Sequence, residues 1–88
     1  MCGITALICK SNSQIENRRN HLLNLSKKIR HRGPDWNGIW ESENVVICHE
    51  RLSIVGVEHG SQPINDGDNY ILSVNGEIYN YKELYKSV

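Results

Sequence analysis

The apolar positions in the first third of the chain follow two different periods. Residues 3–9 form a short apolar run with β-branched side chains, which predicts a buried strand. Farther along, apolar residues return to one side of the chain at helical spacing, with basic residues mostly on the other side. These apolar positions are Ile15, Leu22, Leu25 and Ile29. The pattern predicts a strand and then an amphipathic helix whose apolar stripe packs into the core.

The predicted helix has a sequence signal at each end. Ser13, with Glu16 three residues later, has the pattern of a capping box, so the helix should begin there. It should end before Gly33 and Pro34, because proline disfavours helical geometry in the preceding residue and has no backbone N–H. Residues 30–35 are therefore predicted to form a charged loop.

Two successive strands follow this loop in the predicted order. Residues 38–41 and 45–54 read as strands, and residues 42–44 as the turn between them. Residues 45–48 are apolar at both alternating positions. This is typical of a strand covered on two sides, rather than of the half-exposed strand of a simple meander.

In the last third of the chain, the sequence predicts a loop, a turn, a strand and a helix. Residues 56–63 form the loop, and 65–68 carry a strong turn signal. Residues 70–74 predict another buried strand. A second helix should begin after Asn80, a plausible N-cap with Glu83 three positions later.

Composition places the chain in a broad class. Eighty-eight residues, 39% hydrophobic and 23% charged, suit one small soluble domain with a limited core. The net charge of zero gives no general attraction to nucleic acid or membrane, and no apolar run reaches membrane-spanning length. The basic residues between positions 18 and 32 predict a solvated helix face, because no aromatic residues are interleaved as in a nucleic-acid patch.

Cysteine usage and the lack of a signal-peptide pattern predict a cytoplasmic location. The three cysteines have no regular spacing, so they do not indicate a disulfide framework. Cys9 and Cys48 stand in apolar strands and are predicted to be inert core residues. The four histidines show no metal-ligand spacing with the cysteines, so no metal site is predicted.

Cys2 is the first candidate for chemistry. Removal of Met1 is favoured when a small side chain follows, and it would leave Cys2 with a free α-amine beside its thiol. The ordinary pKa of an α-amine is about 7.7–8.0, so the amine can accept the thiol proton near neutral pH. If Met1 is retained, the amine is held in a peptide bond and cannot act as a base. The alternative is a small buried residue near the chain start.

Residues farther along the chain could assist a cysteine nucleophile. Asn75 and Gly76 can donate a side-chain amide and a backbone N–H to a tetrahedral oxyanion, although an Asn-Gly pair more often forms a turn. Arg51 ends an apolar strand and suits bidentate binding of a carboxylate; the alternative is a surface ion pair with Glu50 or another acid. Glu77 could bind a substrate ammonium, or it could be a solvated acid.

Five motifs occur in order along the chain, and together they are more specific than any one of them. They are MCGI at 1–4, RHRGPD at 30–35, HERLSIV at 49–55, QP at 62–63 and VNGEIYN at 74–80. Together they resemble the N-terminal glutaminase domain of the glutamine-hydrolysing asparagine synthetases. The resemblance spans essentially the whole chain. It also separates the chain from sister class II amidotransferases, whose loop and strand motifs differ.

The resemblance implies an α+β fold, the N-terminal-nucleophile (Ntn) hydrolase αββα sandwich, with residues 1–88 as its N-terminal part. It implies that Cys2 attacks the carboxamide of glutamine, with its own α-amine as general base and with Asn75 and Gly76 as the oxyanion hole. Arg51 would bind the substrate α-carboxylate and Glu77 the α-ammonium. Backbone groups next to Arg51 would complete the glutamine site; they belong to Leu52, Ser53, Ile54 and Val55.

The resemblance also implies partners outside these residues. Ammonia released from glutamine would reach a C-terminal synthetase domain, where ATP and Mg²⁺ activate aspartate; no cofactor is expected on residues 1–88 themselves. A homodimer is a candidate assembly. The chain stops before the aspartate that completes the family's substrate site, so an incomplete domain is expected. Two alternatives stay open: an inactive chain with a regulatory or interaction role, and an amidotransferase with another acceptor.

Overall fold

The structure is a computed structural model that describes residues 2–10, 17–52, 61–67 and 69–88. Helices and antiparallel sheets are combined in an α+β arrangement. No helix within these ranges is long and apolar enough to cross a membrane. In chain order the elements are β1 (Gly3–Ile8), α1 (Arg18–Lys27), a 3-10 helix (Arg30–Arg32), β2 (Trp36–Glu41), β3 (Val45–Arg51), β4 (Ile64–Asn65), β5 (Ile71–Leu72) and α2 (Tyr81–Lys86).

The larger sheet has three strands in the order β1-β3-β2, so β3 lies at its centre. Both neighbours run antiparallel to β3, and Glu50 pairs with Gly3 of β1 and with Asn37 of β2. Directly paired residues point to the same face of a sheet. The register therefore determines which side chains of the three strands lie together on each face.

Helix α1 covers one face of this sheet and forms the core with it. Leu22 of α1 packs with Val46 and Cys48 of β3, and all three side chains are buried. Leu7, Leu23 and Ile39 pack around this cluster. The predicted stripe is confirmed at Leu22.

The opposite face is covered less completely than the sequence predicts. On β3, His49 and Arg51 are buried on this face, as expected for a strand covered on two sides. On β1, however, Ile4 and Ile8 are exposed, and burial alternates along the strand. The prediction of a buried strand at 3–9 is therefore correct in position but wrong in burial, because only the face toward α1 is covered.

A buried polar cluster joins α1 to β3, and the sequence analysis did not predict it. Glu50 is 1% exposed, and its Oε1 accepts hydrogen bonds from Ser26 Oγ at 2.8 Å and Asn37 Nδ2 at 2.7 Å. Arg30 Nε lies 3.7 Å from Glu50 Oε2. In α1 it is Ser26 that is buried, whereas Leu25 of the predicted apolar stripe is exposed. The spacing of apolar residues could not predict the burial of Ser26. A polar side chain such as this is tolerated in the core because it has a hydrogen-bond partner there, in this case Glu50.

The ends of α1 differ in part from the prediction. The predicted start at Ser13 and Glu16 lies outside the described residues, as does Ile15. At the other end, α1 stops at Lys27, and the predicted loop at 30–35 begins as a 3-10 helix. The helical region ends before Gly33 and Pro34, as predicted.

The basic residues between positions 18 and 32 are only partly the solvated helix face that was predicted. Arg19, Lys27 and Lys28 are exposed. Arg18 instead contacts the β2–β3 turn region, where its Nη2 donates to the Ser42 carbonyl oxygen at 2.7 Å. These contacts attach α1 to the sheet.

The smaller sheet is a hairpin of β4 and β5. Its turn was predicted, and two side chains stabilise it: Asn65 Oδ1 accepts the Gly67 N–H at 2.8 Å, and Asp66 Oδ1 accepts the Tyr70 N–H at 3.0 Å. Gly67 has a φ of 91°, a backbone conformation that side chains other than glycine's rarely adopt. The strand predicted at 70–74 is shorter than expected and is not buried, since Tyr70 and Leu72 are exposed.

Helix α2 confirms the second predicted helix. It begins directly after Asn80, the predicted N-cap. The side chain of Asn80 makes no capping hydrogen bond, so the residue occupies the cap position without using its amide. The segment between β5 and α2 is thus a connection between a strand and a helix, not a hairpin turn.

Candidate functional site

Cys2 lies at the adjoining ends of β1 and β3. It immediately precedes β1, whose first residue, Gly3, pairs with Glu50 of β3. The Leu52 N–H donates to Cys2 Sγ at 3.3 Å. The thiol is half-buried, so it lies against the end of β3 and still reaches solvent. This position places the sulfur of Cys2 on the sheet face opposite α1.

The segment after α1 holds Cys2 and the end of β3 together. Arg32 Nε donates to the Cys2 carbonyl oxygen at 3.1 Å, and the Asp35 N–H donates to the Arg51 carbonyl oxygen at 2.9 Å. Gly33 lies between these contacts, buried against the backbone of Glu50 and Arg51. The contact of Arg32 with Cys2 was missed from sequence, where Arg32 counted as part of a basic run. Its place in the RHRGPD motif was the available signal.

Arg51 is buried at the carboxyl end of β3, with 9% of its surface exposed. Alternation along the strand directs its side chain away from the face that carries Glu50. The alternative, a surface ion pair with Glu50 or another acid, is wrong in placing Arg51 at the surface. Glu50 instead contacts Ser26, Asn37 and Arg30. A buried guanidinium next to Cys2 suits recognition of a carboxylate.

Asn75, Gly76 and Glu77 occupy the connection between β5 and α2, and all three are exposed. A Cβ added at Gly76 would meet no atom within 4 Å. Among the described residues, no hydrogen bond joins this trio to Cys2. The structure therefore brings Cys2, Arg51 and Leu52 together, and it leaves the trio open to solvent.

Three further predicted substrate contacts, Ser53, Ile54 and Val55, lie outside the described residues, as does Met1. Leu52 is the described member of this group, and its backbone amide faces the sulfur of Cys2.

The whole chain, residues 1–88, matches the family model described as a glutamine amidotransferase domain. The chain belongs to this family. Its relatives include a probable glutamine-hydrolysing asparagine synthetase of Dictyostelium discoideum, 49% identical over 85 residues. Asparagine synthetase B of Escherichia coli is 47% identical, and glutamine-hydrolysing asparagine synthetase 1 of Saccharomyces cerevisiae is 49% identical. Each match covers 96% of this chain but only 14–15% of the relative.

The family match confirms the resemblance drawn from the five ordered motifs. This glutamine amidotransferase domain presents its Cys-Gly start at the edge of the larger sheet, beside residues 50–52. Cys9 and Cys48 are buried, as predicted for core cysteines, and all three cysteines are free thiols. Within the described ranges, no three His, Cys, Asp or Glu side chains gather into a group that could hold a metal ion.

Folding lowers the pKa of His49 from its ordinary value. Its side chain is fully buried, and its Nδ1 lies 2.6 Å from Ser73 Oγ. Burial is the main cause that lowers the pKa of His49; the charge of Arg51 lowers it further, and Glu50 opposes the shift. The imidazole is consequently neutral at pH 7.

The lowered pKa of His49 predicts a loss of stability in mild acid. Below its ordinary pKa of about 6.5, the unfolded chain binds a proton that the folded chain resists, so unfolding becomes easier as pH falls. We expect the urea midpoint to decrease between about pH 7.5 and pH 5.5. His49→Asn should make this decrease smaller, whereas the same change at the exposed His21 should not. An unchanged pH dependence in His49→Asn would contradict the prediction.

Proposed function

We propose that this chain performs the glutaminase half-reaction of an asparagine synthetase, hydrolysing glutamine to glutamate and ammonia. The observation that carries the proposal is the position of Cys2. Its sulfur lies at the start of β1, in contact with the backbone after Arg51. A nucleophile and a carboxylate-binding cation at adjoining strand ends form two parts of a site for an amino acid with a side-chain amide.

The proposed reaction begins with proton transfer inside one residue. With Met1 removed, the α-amine of Cys2 accepts the thiol proton, and Sγ attacks the carboxamide carbon of glutamine. The tetrahedral oxyanion collapses as the carbon–nitrogen bond breaks, and the same proton passes to the departing nitrogen, which leaves as ammonia. Water then hydrolyses the resulting thioester to glutamate and restores the thiol.

The proposed binding groups hold the two ends of glutamine. Arg51 binds the α-carboxylate with backbone help from Leu52 and residues 53–55, and Glu77 binds the α-ammonium. Asn75 Nδ2 and the Gly76 N–H stabilise the oxyanion. This assignment requires the segment that carries Asn75 to lie over Cys2. The exposure of that segment is consistent with a site that forms around bound substrate.

The proposed architecture is the Ntn-hydrolase sandwich. Helix α1 and the three-stranded sheet supply a helix layer packed on a sheet. The β4–β5 hairpin would belong to the second sheet. The exposed apolar residues opposite α1, among them Ile4, Ile8 and Trp36, support further cover on that face.

The proposed use of the ammonia is asparagine synthesis. The matched relatives are named glutamine-hydrolysing asparagine synthetases, and the chain spans about 15% of their length. We propose that a synthetase domain uses the ammonia and ATP to convert aspartate to asparagine. A homodimer and a cytoplasmic location are further expectations from the same resemblance.

Labelling with 6-diazo-5-oxo-norleucine, a glutamine analogue that alkylates glutaminase nucleophiles, tests the proposal. We expect one label on Cys2 of the intact protein, with excess glutamine slowing the reaction. Peptide mass spectrometry locates the label. Modification of Cys9 or Cys48 with Cys2 untouched would refute the assignment, as would an unmodified protein. The latter result would favour the regulatory or interaction role.

A further inference from the structure

Two connections fasten the segment before Asn75 to the larger sheet. The first is the contact between His49 Nδ1 and Ser73 Oγ, at 2.6 Å. The second is the hydrogen bond from the Val74 N–H to Gln62 Oε1, at 2.7 Å. The carbonyl oxygen of Gln62 in turn fills the space that a Cβ at Gly38 would occupy.

These contacts meet at one place on the sheet. Gly38 of β2 and His49 of β3 are register partners, and the other partner of His49 is Ile4 of β1. Ser73 therefore sits over the middle of the three strands, on the face opposite α1. Because the rise along a strand is about 3.3 Å per residue, the Cα of Ile4 is only about 7 Å from the Cα of Cys2.

The same spacing limits where the proposed oxyanion donors can lie. Asn75 is two residues beyond Ser73, so its Cα is at most about 7 Å from that of Ser73. Anchoring Ser73 on His49 thus keeps Asn75 and Gly76 close to the sheet face that carries Cys2, although the segment itself is exposed. Without the contact between His49 and Ser73, the segment before Asn75 would be held only by the hydrogen bond from the Val74 N–H to Gln62, among the contacts described.

We propose that His49 and Ser73 are positioning residues, whose side-chain hydrogen bond holds the Asn75–Gly76 segment over the Cys2 nucleophile. The inference rests on the proposed function and extends it to two residues that touch neither substrate nor reacting atoms. It accounts for a buried histidine that the proposed reaction does not use. It also accounts for the polar residue Ser73 within the apolar run of residues 70–74.

The chemistry of the pair suits a fixed anchor. His49 is neutral, because burial lowers its pKa, so the Nδ1 contact is a hydrogen bond between uncharged groups and is insensitive to salt. Its Nε2 is buried and has no hydrogen-bond partner among the described residues. The Ser73 contact is therefore the one described hydrogen bond that orients the ring.

The variants distinguish the effect of losing the hydrogen bond from the effect of changing the volume of each side chain. Ser73→Ala removes the hydroxyl and Ser73→Thr keeps it. His49→Asn keeps a polar atom near the position of Nδ1, and His49→Gln keeps one near Nε2 instead. The exposed residues His21 and Ser87 supply matched controls, His21→Gln and Ser87→Ala. All are made in the intact protein, and glutamate release is measured over a range of glutamine concentrations.

We expect Ser73→Ala and His49→Gln to lower kcat/KM for glutamine by about 10- to 100-fold, the range for a slight misplacement of catalytic groups. Ser73→Thr and His49→Asn should recover much of the loss. The double variant of Ser73→Ala and His49→Gln should be little worse than either single one, because both remove the same bond. Additive losses, or equal losses in Ser73→Ala and Ser73→Thr, would overturn the inference.

Alkylation by iodoacetamide distinguishes misplacement from unfolding. Iodoacetamide needs no oxyanion hole, so its rate at Cys2 should be the same in the wild type and in Ser73→Ala. The rate with 6-diazo-5-oxo-norleucine should fall in parallel with kcat/KM. A parallel change in both rates would indicate general loss of structure and would count against a positioning role.

Hydrogen exchange tests the anchor independently of activity. We expect the amides of residues 74–77 to exchange faster in Ser73→Ala than in the wild type, with the β1–β3 ladder unchanged. If the wild type releases no glutamate, the proposed function fails, and exchange still decides whether the bond holds the segment. If the wild type is active but neither exchange nor kcat/KM changes in Ser73→Ala, the inference alone fails.

Discussion

Cys2→Ala is expected to lower glutamine-dependent asparagine formation by at least about a thousandfold, with synthesis from added ammonia preserved. Loss of a nucleophile removes the covalent route entirely, and such losses reach about a millionfold in other hydrolases. Ammonia supplied in solution bypasses Cys2, so the second half-reaction should proceed at the wild-type rate. Asparagine and glutamate released by the intact protein are measured with each nitrogen source.

The control for Cys2→Ala is the same substitution at another free thiol. Cys9 follows β1 at its far end and is buried. Cys9→Ala should therefore retain glutamine use at any temperature at which the variant is folded. Equal loss of glutamine-dependent and ammonia-dependent synthesis in Cys2→Ala would contradict a separable glutaminase. Full retention of glutamine use would remove Cys2 from the mechanism.

Gly33→Ala is expected to destabilise the fold by about 3 kcal/mol, the upper part of the range for overpacking a well-packed site. A Cβ at this position would overlap the backbone carbonyl group of Glu50 and approach that of Arg51. Backbone atoms in the central strand cannot move aside as a flexible side chain can. The strand would have to shift, and the buried contacts of Glu50 with it.

Urea unfolding measures this effect. Domains of this size are stable by only about 5–15 kcal/mol, so the midpoint of Gly33→Ala should fall clearly. Gly76→Ala is the matched control, because a Cβ there meets no atom within 4 Å, and its midpoint should stay near that of the wild type. Similar midpoints for the wild type and Gly33→Ala would show that the contact of Gly33 with β3 is not as close as described.

Sequence periodicity predicted the elements with strong local signals. The helical spacing that includes Leu22 predicted α1, and two strand-forming runs on either side of a turn predicted β2 and β3. Asn80 marked the start of α2, and the turn before β5 followed from its Asn, Asp and Gly residues. These signals depend on residues close together in the chain, so they can be interpreted without knowing the fold.

Burial was predicted less well, because it depends on what covers each face. Ile8 and Leu72 belong to apolar runs and are nevertheless exposed, whereas Ser26 and Glu50 are polar and buried. Ser26 and Glu50 lie 24 residues apart and stabilise each other only when α1 docks on β3. The pattern of residues within one segment therefore cannot predict a hydrogen bond between two distant segments.

In the candidate site, too, local motifs could be interpreted from sequence, whereas contacts between distant residues could not. The ordered motifs predicted site residues at Cys2, Arg51 and the Asn75–Gly76–Glu77 trio. The family match confirms the resemblance on which this prediction rests. The contacts of Arg32, His49 and Ser73 were not predicted. Each of these contacts joins residues that are distant in sequence, so no spacing rule identifies it.

For Met1-Cys2-Gly3, the sequence by itself determined that a small thiol follows the initiator methionine, at the start of a chain with five ordered family motifs. Only the tertiary structure decided that β1 pairs with β3, which brings Cys2 Sγ to the backbone of Leu52 across 50 residues of chain. The physical reason is that residue types and their periods act locally. Strand pairing, by contrast, depends on hydrogen bonds and packing between distant segments, which exist only after the chain has folded.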